Sequence, residues 1–341
     1  MPPRSYYNSP RPSDYVAFAE AFFPEDLNKV QEFAESHGLP YIDSSHHLAG
    51  YLGVSPSLIR QIIHKPSYHY REFPLTKANG DKRLISTPKT YLKVVQWWIA
   101  DNILEKIELS DCVHGFRRNR SYVSNAVAHK GSKHVLNVDV KSFFDNIGID
   151  VIFNVFSSLG YGEAGSLVLS SLTSKNGIAP TGAPTSPMIA NAAFRQIDTQ
   201  LSNYAANKGL KYTRYADDLT FSGMSWIEHD IVEDVSKIVE SGGFQLNTSK
   251  TKFMGPGDRK EVTGVVINSE LNTSKEWRNY VRGYLHRVLL NAPQHAGELP
   301  KVRGILGILQ QFDVDNNKKL TRQAKETVAQ LVKIKSDDNG G

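Results

Sequence analysis

Two adjacent carboxylates, Asp217 and Asp218, follow an aromatic and a small residue in Tyr215-Ala216-Asp217-Asp218, inside the alternating run Lys211 to Phe221. Tyr212, Arg214, Thr220 and Phe221 suit strands, and the small-plus-acid step suits a tight hairpin turn. Adjacent carboxylates repel each other, and both stay ionised at low cost when a cation sits between them. A hairpin tip carrying them is therefore a place to hold divalent cations, although Asp-Asp also occurs in ordinary surface turns. A third acid comes from Val135–Val140, where Leu136, Val138 and Val140 share one face and Asn137 and Asp139 the other. Asp139 and Asp217 are 78 positions apart (217 − 139). If the hairpin packs beside that strand, their carboxylates meet at one end of a sheet. Two Mg²⁺ ions held about 3.5–4 Å apart by such carboxylates run an in-line phosphoryl displacement: one activates a hydroxyl, the other stabilises the leaving pyrophosphate.

The residues around these acids fit a nucleotide. Ser142, Phe143 and Phe144 follow Asp139, and Phe144 lies five positions after it. A ring beneath the incoming sugar would clash with a 2′-hydroxyl and select deoxynucleotides. Gly182-Ala183-Pro184-Thr185-Ser186-Pro187 is a loop of small residues before a helix, where backbone comes close to a ligand and the helix N-terminus favours anions. Lys250 or Lys252 follows Gly243-Phe244-Gln245-Leu246-Asn247 and is suited to protonating or neutralising a departing pyrophosphate.

The elements that must position these residues follow from periodicity. Residues 1–13 read as a disordered arm and 14–65 as helical, with one pattern running Leu48 to Ile63. Residues 68–88 alternate around Asn79-Gly80, a hairpin signal, with Lys77, Lys82 and Arg83 on its arms. Tyr91–Ile107, Val151–Leu159 and Gly165–Leu172 have helical spacing, and Met188–Ala206 reads as one longer helix entered after Pro187. Ile231, Val235, Ile238 and Val239 form an apolar helix face stopped by Gly242-Gly243. Phe253-Met254 and Glu261–Ile267 read as short strands. Arg278–Leu290 is amphipathic, with Arg278, Arg282 and His286 in a cationic stripe beside Tyr280 and Tyr284.

With 341 residues, 40% hydrophobic and 22% charged, the chain has the composition of a globular protein with room for two or three subdomains. No apolar run is long enough for a membrane span, and the first twelve residues lack a secretory apolar core. The single cysteine, Cys112, excludes an intrachain disulfide and a Cys-rich zinc site, so a reducing cytoplasm is expected. His46, His47, His64 and His69 lack a third ligand at metal spacing and read as surface or RNA-facing. Net charge is +5 and the pI about 9.0. The basic residues cluster: three arginines within Phe116–Arg120, a group at Lys250, Lys252, Arg259 and Lys260, and six Lys/Arg against two acids from Lys275 to Arg303. Such patches suit phosphate tracking.

Taken together, the Asp-bearing strand, the Gly-Ala-Pro-Thr-Ser-Pro loop, Tyr-Ala-Asp-Asp and Leu246-Asn247 followed by Lys250-Thr251-Lys252 resemble the reverse transcriptases, from roughly Lys77 to Ile267. Asn125-Ala126-Val127-Ala128-His129 and Val262-Thr263-Gly264 resemble patterns of the retron branch, which synthesises branched RNA–DNA (msDNA) in bacteria. The resemblance implies an α+β right-hand polymerase fold: an N-terminal arm and helical extension (1–65), fingers (66–130), palm (131–270), and thumb with tail (271–341). It implies catalytic Asp139, Asp217 and Asp218, a metal-facing carbonyl at Val140, Phe144 as sugar gate, and Lys82 and Arg83 on the triphosphate. It further implies two Mg²⁺, dNTPs, priming from a guanosine 2′-hydroxyl, and a cognate structured RNA recognised through Asn125, His129, Val262, Thr263 and Gly264, with Arg278 and Arg282 added from the basic stripe. Anti-phage defence with a partner effector protein is implied as well. The family's loop usually begins Pro-Gln-Gly, and Pro180-Thr181-Gly182 departs from it, which leaves the role of Thr181 open. The chain is too short for an appended RNase H, maturase or endonuclease domain, so RNA removal is expected from another protein. A group-II-intron-like or CRISPR-associated reverse transcriptase, and a non-catalytic RNA-binding scaffold on the same fold, are the alternatives. The Asn-Ala-x-x-His match argues against the first and the three intact acids against the second.

Overall fold

A computed structural model describes residues 11–76, 80, 82–313 and 318–338, with side chains to 336. Lys77 and Asn79 lie outside the described residues, as does most of the N-terminal arm. The chain is α+β with antiparallel sheets.

Four helices open the described chain: α1 (Pro12–Phe22), α2 (Leu27–His37), α3 (Ser45–Leu52) and α4 (Pro56–His64). The single pattern expected over Leu48–Ile63 is in fact two helices. Each has a serine N-cap: Ser44 accepts from the His47 amide and Ser55 from the Leu58 amide. His47 is buried between Asp26 and Asp43, at 3.2 and 2.7 Å, so it is neither surface nor RNA-facing. The strands β1 (Tyr70–Thr76) and β2 (Lys82–Pro88) pair antiparallel as the expected hairpin. Helices α5 (Thr90–Asn102) and α6 (Tyr122–Ala128) follow, the second closed by a Ser121/Ser124 capping box.

The strand β3 (His134–Asp139) leads into α7 (Ile149–Ser158), α8 (Glu163–Thr173), α9 (Ser186–Ala193) and α10 (Arg195–Asn207). The one long helix expected over Met188–Ala206 is interrupted at Phe194. Its ring is buried at 5.6 Å from Phe143 and 5.1 Å from Phe244, an anchor that periodicity cannot show. The hairpin β4 (Lys211–Tyr215) and β5 (Asp218–Gly223), then α11 (Ile231–Ser241) and β6 (Lys252–Met254), complete a four-stranded sheet in the order β4-β5-β3-β6. Its apolar face joins α5, α9, α10 and α11 in the main core.

Two smaller cores flank this one. Strands β7 (Glu261–Val262) and β8 (Val265–Val266) form a hairpin where a single strand was expected, turning at Thr263-Gly264, and bury Val262, Val265 and Ile267 against Ala126 of α6. Helices α12 (Lys275–Leu290), α13 (Leu299–Gln310) and α14 (Lys319–Asp338) pack around Val281, Leu285, Val288 and Val302, separate from the main core. No helix among the described residues is long and apolar enough to cross a membrane.

Candidate active site

The sheet brings the three acids to one corner. In the antiparallel pairing of β3 with β5, Asp139 lies directly opposite Asp218. Ala216 and Asp217 are the two residues between β4 and β5, and Ala216 takes φ 57°, a left-handed conformation that a tight two-residue hairpin demands. The turn is bonded to the end of β3: the Val140 amide donates to the Asp217 carbonyl at 2.9 Å. The next loop is bonded there too, since the Asn247 amide donates to the Asp139 carbonyl at 2.7 Å. Backbone bonds, not side-chain flexibility, therefore fix where the carboxylates sit.

Desolvation raises the pKa of Asp217 above the ordinary aspartate value, with the Asp139 charge adding to it. Asp218 is pushed up to about 6, first by desolvation and then by Asp217 and Asp139. One cation is already at hand. Lys250 Nζ donates to Asp139 Oδ2 at 2.8 Å, and that bond raises the lysine's pKa. An all-oxygen donor set this crowded with negative charge fits a hard divalent cation. Among the described residues no three His, Cys, Asp or Glu close into a preformed cage.

Asp139 and Asp217 line a cleft of about 1060 Å³, together with Val140, Ser142, Phe144 and Lys250. Lys82 and Arg83 of β2 line it from the opposite side. Asp218 is not among the lining residues. Phe143 reaches the cleft wall, but its ring is buried in the core on Phe194 and Phe244, so the direct nucleotide contact expected of it is corrected to support beneath Phe144. Gly182 is also placed differently from expectation. At φ 116° it packs on β2, where an added Cβ would lie 3.0 Å from Ile85 and 3.1 Å from the Ser86 carbonyl. The Ser86 amide donates to the Thr181 carbonyl at 2.9 Å, so this loop fastens the β1–β2 hairpin to the sheet while Thr181 faces the cleft.

The residues expected to touch RNA divide. Asn125, His129 and Val262 are fully buried, so direct RNA contact by these side chains is corrected. His129 is held by Ser222 and Thr213, both at 2.7 Å, and burial pushes its pKa down to about 3, so it is neutral. Thr263 donates to the Tyr122 carbonyl at 2.8 Å, tying the β7–β8 turn to α6; Gly264 is exposed at its tip. Arg278 donates to the Thr273 carbonyl, while Arg282 lines a groove between α12 and α14 with His286, Lys319 and Arg322. Tyr284 is buried and Tyr280 exposed.

Sequence reasoning missed the support of the turn. Arg214 and Asp198 are both fully buried and paired at 2.6 Å, with a second bond at 2.8 Å. Arg214 Nη1 also donates to Asn191 Oδ1 (3.0 Å) and to the Ala216 carbonyl (3.2 Å). Asn191 in turn donates to the Gly115 carbonyl at 3.0 Å. Gly115 presses on the turn so closely that a Cβ would come within 2.4 Å of the Ala216 nitrogen. The available signal was Arg214 alternating with Tyr212 on one face of Lys211–Tyr215, since an arginine on a buried strand face needs a buried partner.

Residues 63–278 match the family described as Reverse transcriptase (RNA-dependent DNA polymerase). The chain is similar to the Retron Ec86 reverse transcriptase of Escherichia coli, 33% identical over 287 residues, covering 83% of this chain and 89% of the relative. It is also similar to the Retron Mx162 and Retron Mx65 reverse transcriptases of Myxococcus xanthus, 30% and 31% identical, covering 90% and 85% of this chain and 71% and 73% of theirs.

Proposed function

Because the chain belongs to the retron reverse transcriptases, which are RNA-directed DNA polymerases, we propose that it copies one structured non-coding RNA into single-stranded DNA at the Asp139–Asp217–Asp218 corner. The observation that carries this is the register of β3 against β5, which sets Asp139 opposite Asp218 and beside the turn holding Asp217. The cleft at that corner is lined by Phe144 and by the cations Lys82, Arg83 and Lys250.

In the proposed reaction a primer hydroxyl oxygen bonds to the α-phosphorus of a dNTP. The bond from that phosphorus to the bridging oxygen breaks, pyrophosphate leaves, and the hydroxyl proton passes to solvent. Asp139 and Asp217, with the Val140 carbonyl and Asp218 beside them, would hold two Mg²⁺. Bound there, Mg²⁺ acidifies the attacking hydroxyl and neutralises charge on the leaving group. Lys82 and Arg83 hold the triphosphate, Ser142 lies beneath it, and Phe144 closes the sugar pocket against a 2′-hydroxyl. Lys250 releases Asp139 and neutralises the pyrophosphate.

This reading gives the chain fingers in the β1–β2 hairpin and its neighbours, a palm in the four-stranded sheet, and a thumb in α12–α14. The RNA is held at the exposed Gly264 turn and along the Arg282 groove, while Asn125, His129 and Val262 shape that surface from below. Priming from a guanosine 2′-hydroxyl, a branched msDNA product, a cytoplasmic setting and a defence role with an effector protein are further parts of the proposal, resting on the sequence resemblance to the retron branch. The test is incubation with the RNA encoded beside the gene, dNTPs and Mg²⁺, resolving products on a denaturing gel. Wild type should extend that RNA from an internal branch and Asp217→Asn should bind it without extending it. Equal silence of both on a bound RNA would overturn the polymerase assignment.

A further inference from the structure

The residue after the glycine that backs the catalytic turn is strained, aromatic and open to solvent. Phe116 has φ 56°, a conformation that costs a bulky residue on the order of 1–3 kcal/mol and persists where surroundings enforce it. Its ring is 43% exposed, so core burial does not account for it. Neighbouring backbone enforces it. Residues 112–114 run beside β4, with the Arg214 amide donating to the Cys112 carbonyl and the His114 amide to the Arg214 carbonyl, both at 2.8 Å. Gly115 then abuts Ala216, and the chain turns at Phe116.

That turn aims the ring at Phe144. The two centroids are 6.2 Å apart with planes at 56°, within the range of a favourable aromatic pair. Phe116 lines the substrate cleft and also a neighbouring cavity of about 820 Å³ that holds Arg117, Arg118, Arg120 and Tyr215. It thus forms the partition between the cleft where Phe144 stands and an arginine-lined space behind the catalytic hairpin.

We propose that Phe116 is a second specificity-determining ring of this polymerase: it lines the cleft beside Phe144, packs against that ring and holds it in place where the two meet the incoming nucleotide. Because its backbone is braced on the Tyr215–Ala216 turn, the pocket wall and the metal-facing acids keep one fixed spacing. A ring on a flexible loop would let Phe144 yield by the size of a hydroxyl. A ring braced on the turn does not.

The inference rests on the gate reading of Phe144, and the experiment separates the two. Single-nucleotide extension by full-length protein on its RNA is measured with a dNTP and the matching rNTP for wild type, Phe144→Ala, Phe116→Ala, Phe116→Gly and the double alanine variant. Phe116→Ala should raise KM for the dNTP about tenfold with little change in kcat, and narrow the dNTP-over-rNTP preference about tenfold. The double variant should lose less than the product of the two single effects, since the rings touch. Phe116→Gly should melt at or above wild type, because glycine accepts the left-handed backbone, and still lose selectivity. A Phe116 with no part in the pocket would differ in selectivity alone: Phe116→Gly equally stable and fully selective. If Phe144→Ala narrows the preference and both Phe116 variants leave it and KM unchanged, this inference fails alone. If Phe144→Ala leaves the preference unchanged, the gate reading fails and takes the pair with it.

Discussion

Asp139 and Asp218 face each other as register partners across β3 and β5, and Asp217 immediately precedes Asp218 in the turn, so three carboxylates converge on one sheet corner with Lys250 in contact. Such a corner is poorly balanced without added cations, since desolvation and mutual repulsion raise Asp217 and Asp218 together. Removing one charge should therefore help the fold and harm the chemistry. Asp218→Asn is expected to melt about 1–2 °C above wild type in EDTA. Adding Mg²⁺ should raise the wild-type midpoint more than that of the variant, by the linkage of binding to folding. Primer extension by the variant should fall at least about a hundredfold. A melting midpoint in EDTA below that of wild type would show that the corner is not strained by charge.

Lys250 occupies the oxygen of Asp139 that a divalent cation would need. Lys250→Met removes both the competitor and the charge proposed to meet pyrophosphate. The expected outcome is a lower Mg²⁺ concentration at half-maximal rate together with a kcat reduced about a hundredfold. Titrating Mg²⁺ in single-turnover extension reads both at once. A fall in kcat with an unchanged Mg²⁺ requirement would leave the leaving-group role and remove the competition.

His129 is neutral because burial lowers its pKa from 6.5 to about 3. The unfolded chain then binds more protons than the native state between about pH 6.5 and 3. The stability that neutral His129 contributes is present above the unfolded value and lost as pH falls through that window. His129→Gln should flatten this part of the stability-versus-pH curve, measured by urea unfolding at pH 7.5, 6 and 5. His129→Ala should cost about 2–4 kcal/mol by leaving the Thr213 hydroxyl without its imidazole partner and Ser222 with Ser132 alone. Its affinity for the RNA, measured where the variant is still folded, should change less than twofold, whereas a direct RNA contact would weaken it tenfold or more.

Chemistry was legible in the sequence where it is carried by local pattern. Alternation in Val135–Val140 and Lys211–Phe221 located both acid-bearing strands, and Asn79-Gly80 located the hairpin that carries Lys82 and Arg83. What periodicity could not show was long-range partnership. Asn125 and His129, four apart on a short helix, look the same in sequence whether they face solvent or the core; only the sheet beneath, with Thr213 and Ser222, decides that they are buried. Phe194 splits a helix whose spacing is continuous because its ring is claimed by Phe143 and Phe244. Gly182 looked like a ligand cradle and is a fastening point for β2, since small residues permit close approach by protein as readily as by nucleotide. The strain at Phe116 has no sequence signal, being imposed by the packing of Gly115 on Ala216.

The buried Arg214–Asp198 pair supports the catalytic turn through bonds to Asn191 and the Ala216 carbonyl, so its contributions to stability and to rate should be separable. Asp198→Asn leaves an uncompensated guanidinium in the core and should cost about 3–5 kcal/mol in denaturant unfolding. Arg214→Lys should also weaken the fold, because an ammonium cannot bond Asp198 through two nitrogens and reach Asn191 as well. Replacing both charges, Arg214→Met with Asp198→Leu, removes the unpaired ion and should recover most of that stability. It should not recover the rate. Without the guanidinium the Ala216 carbonyl loses its bond and Asn191 keeps only its bond to Gly115, so the turn carrying Asp217 loses a brace while Val140 still holds its other side. Single-turnover extension by the double variant is expected to stay at least about tenfold slow with dNTP affinity near wild type, because the loss lies in the placement of Asp217 and not in the nucleotide pocket. A double variant that regained full rate along with stability would show that the pair serves the core alone.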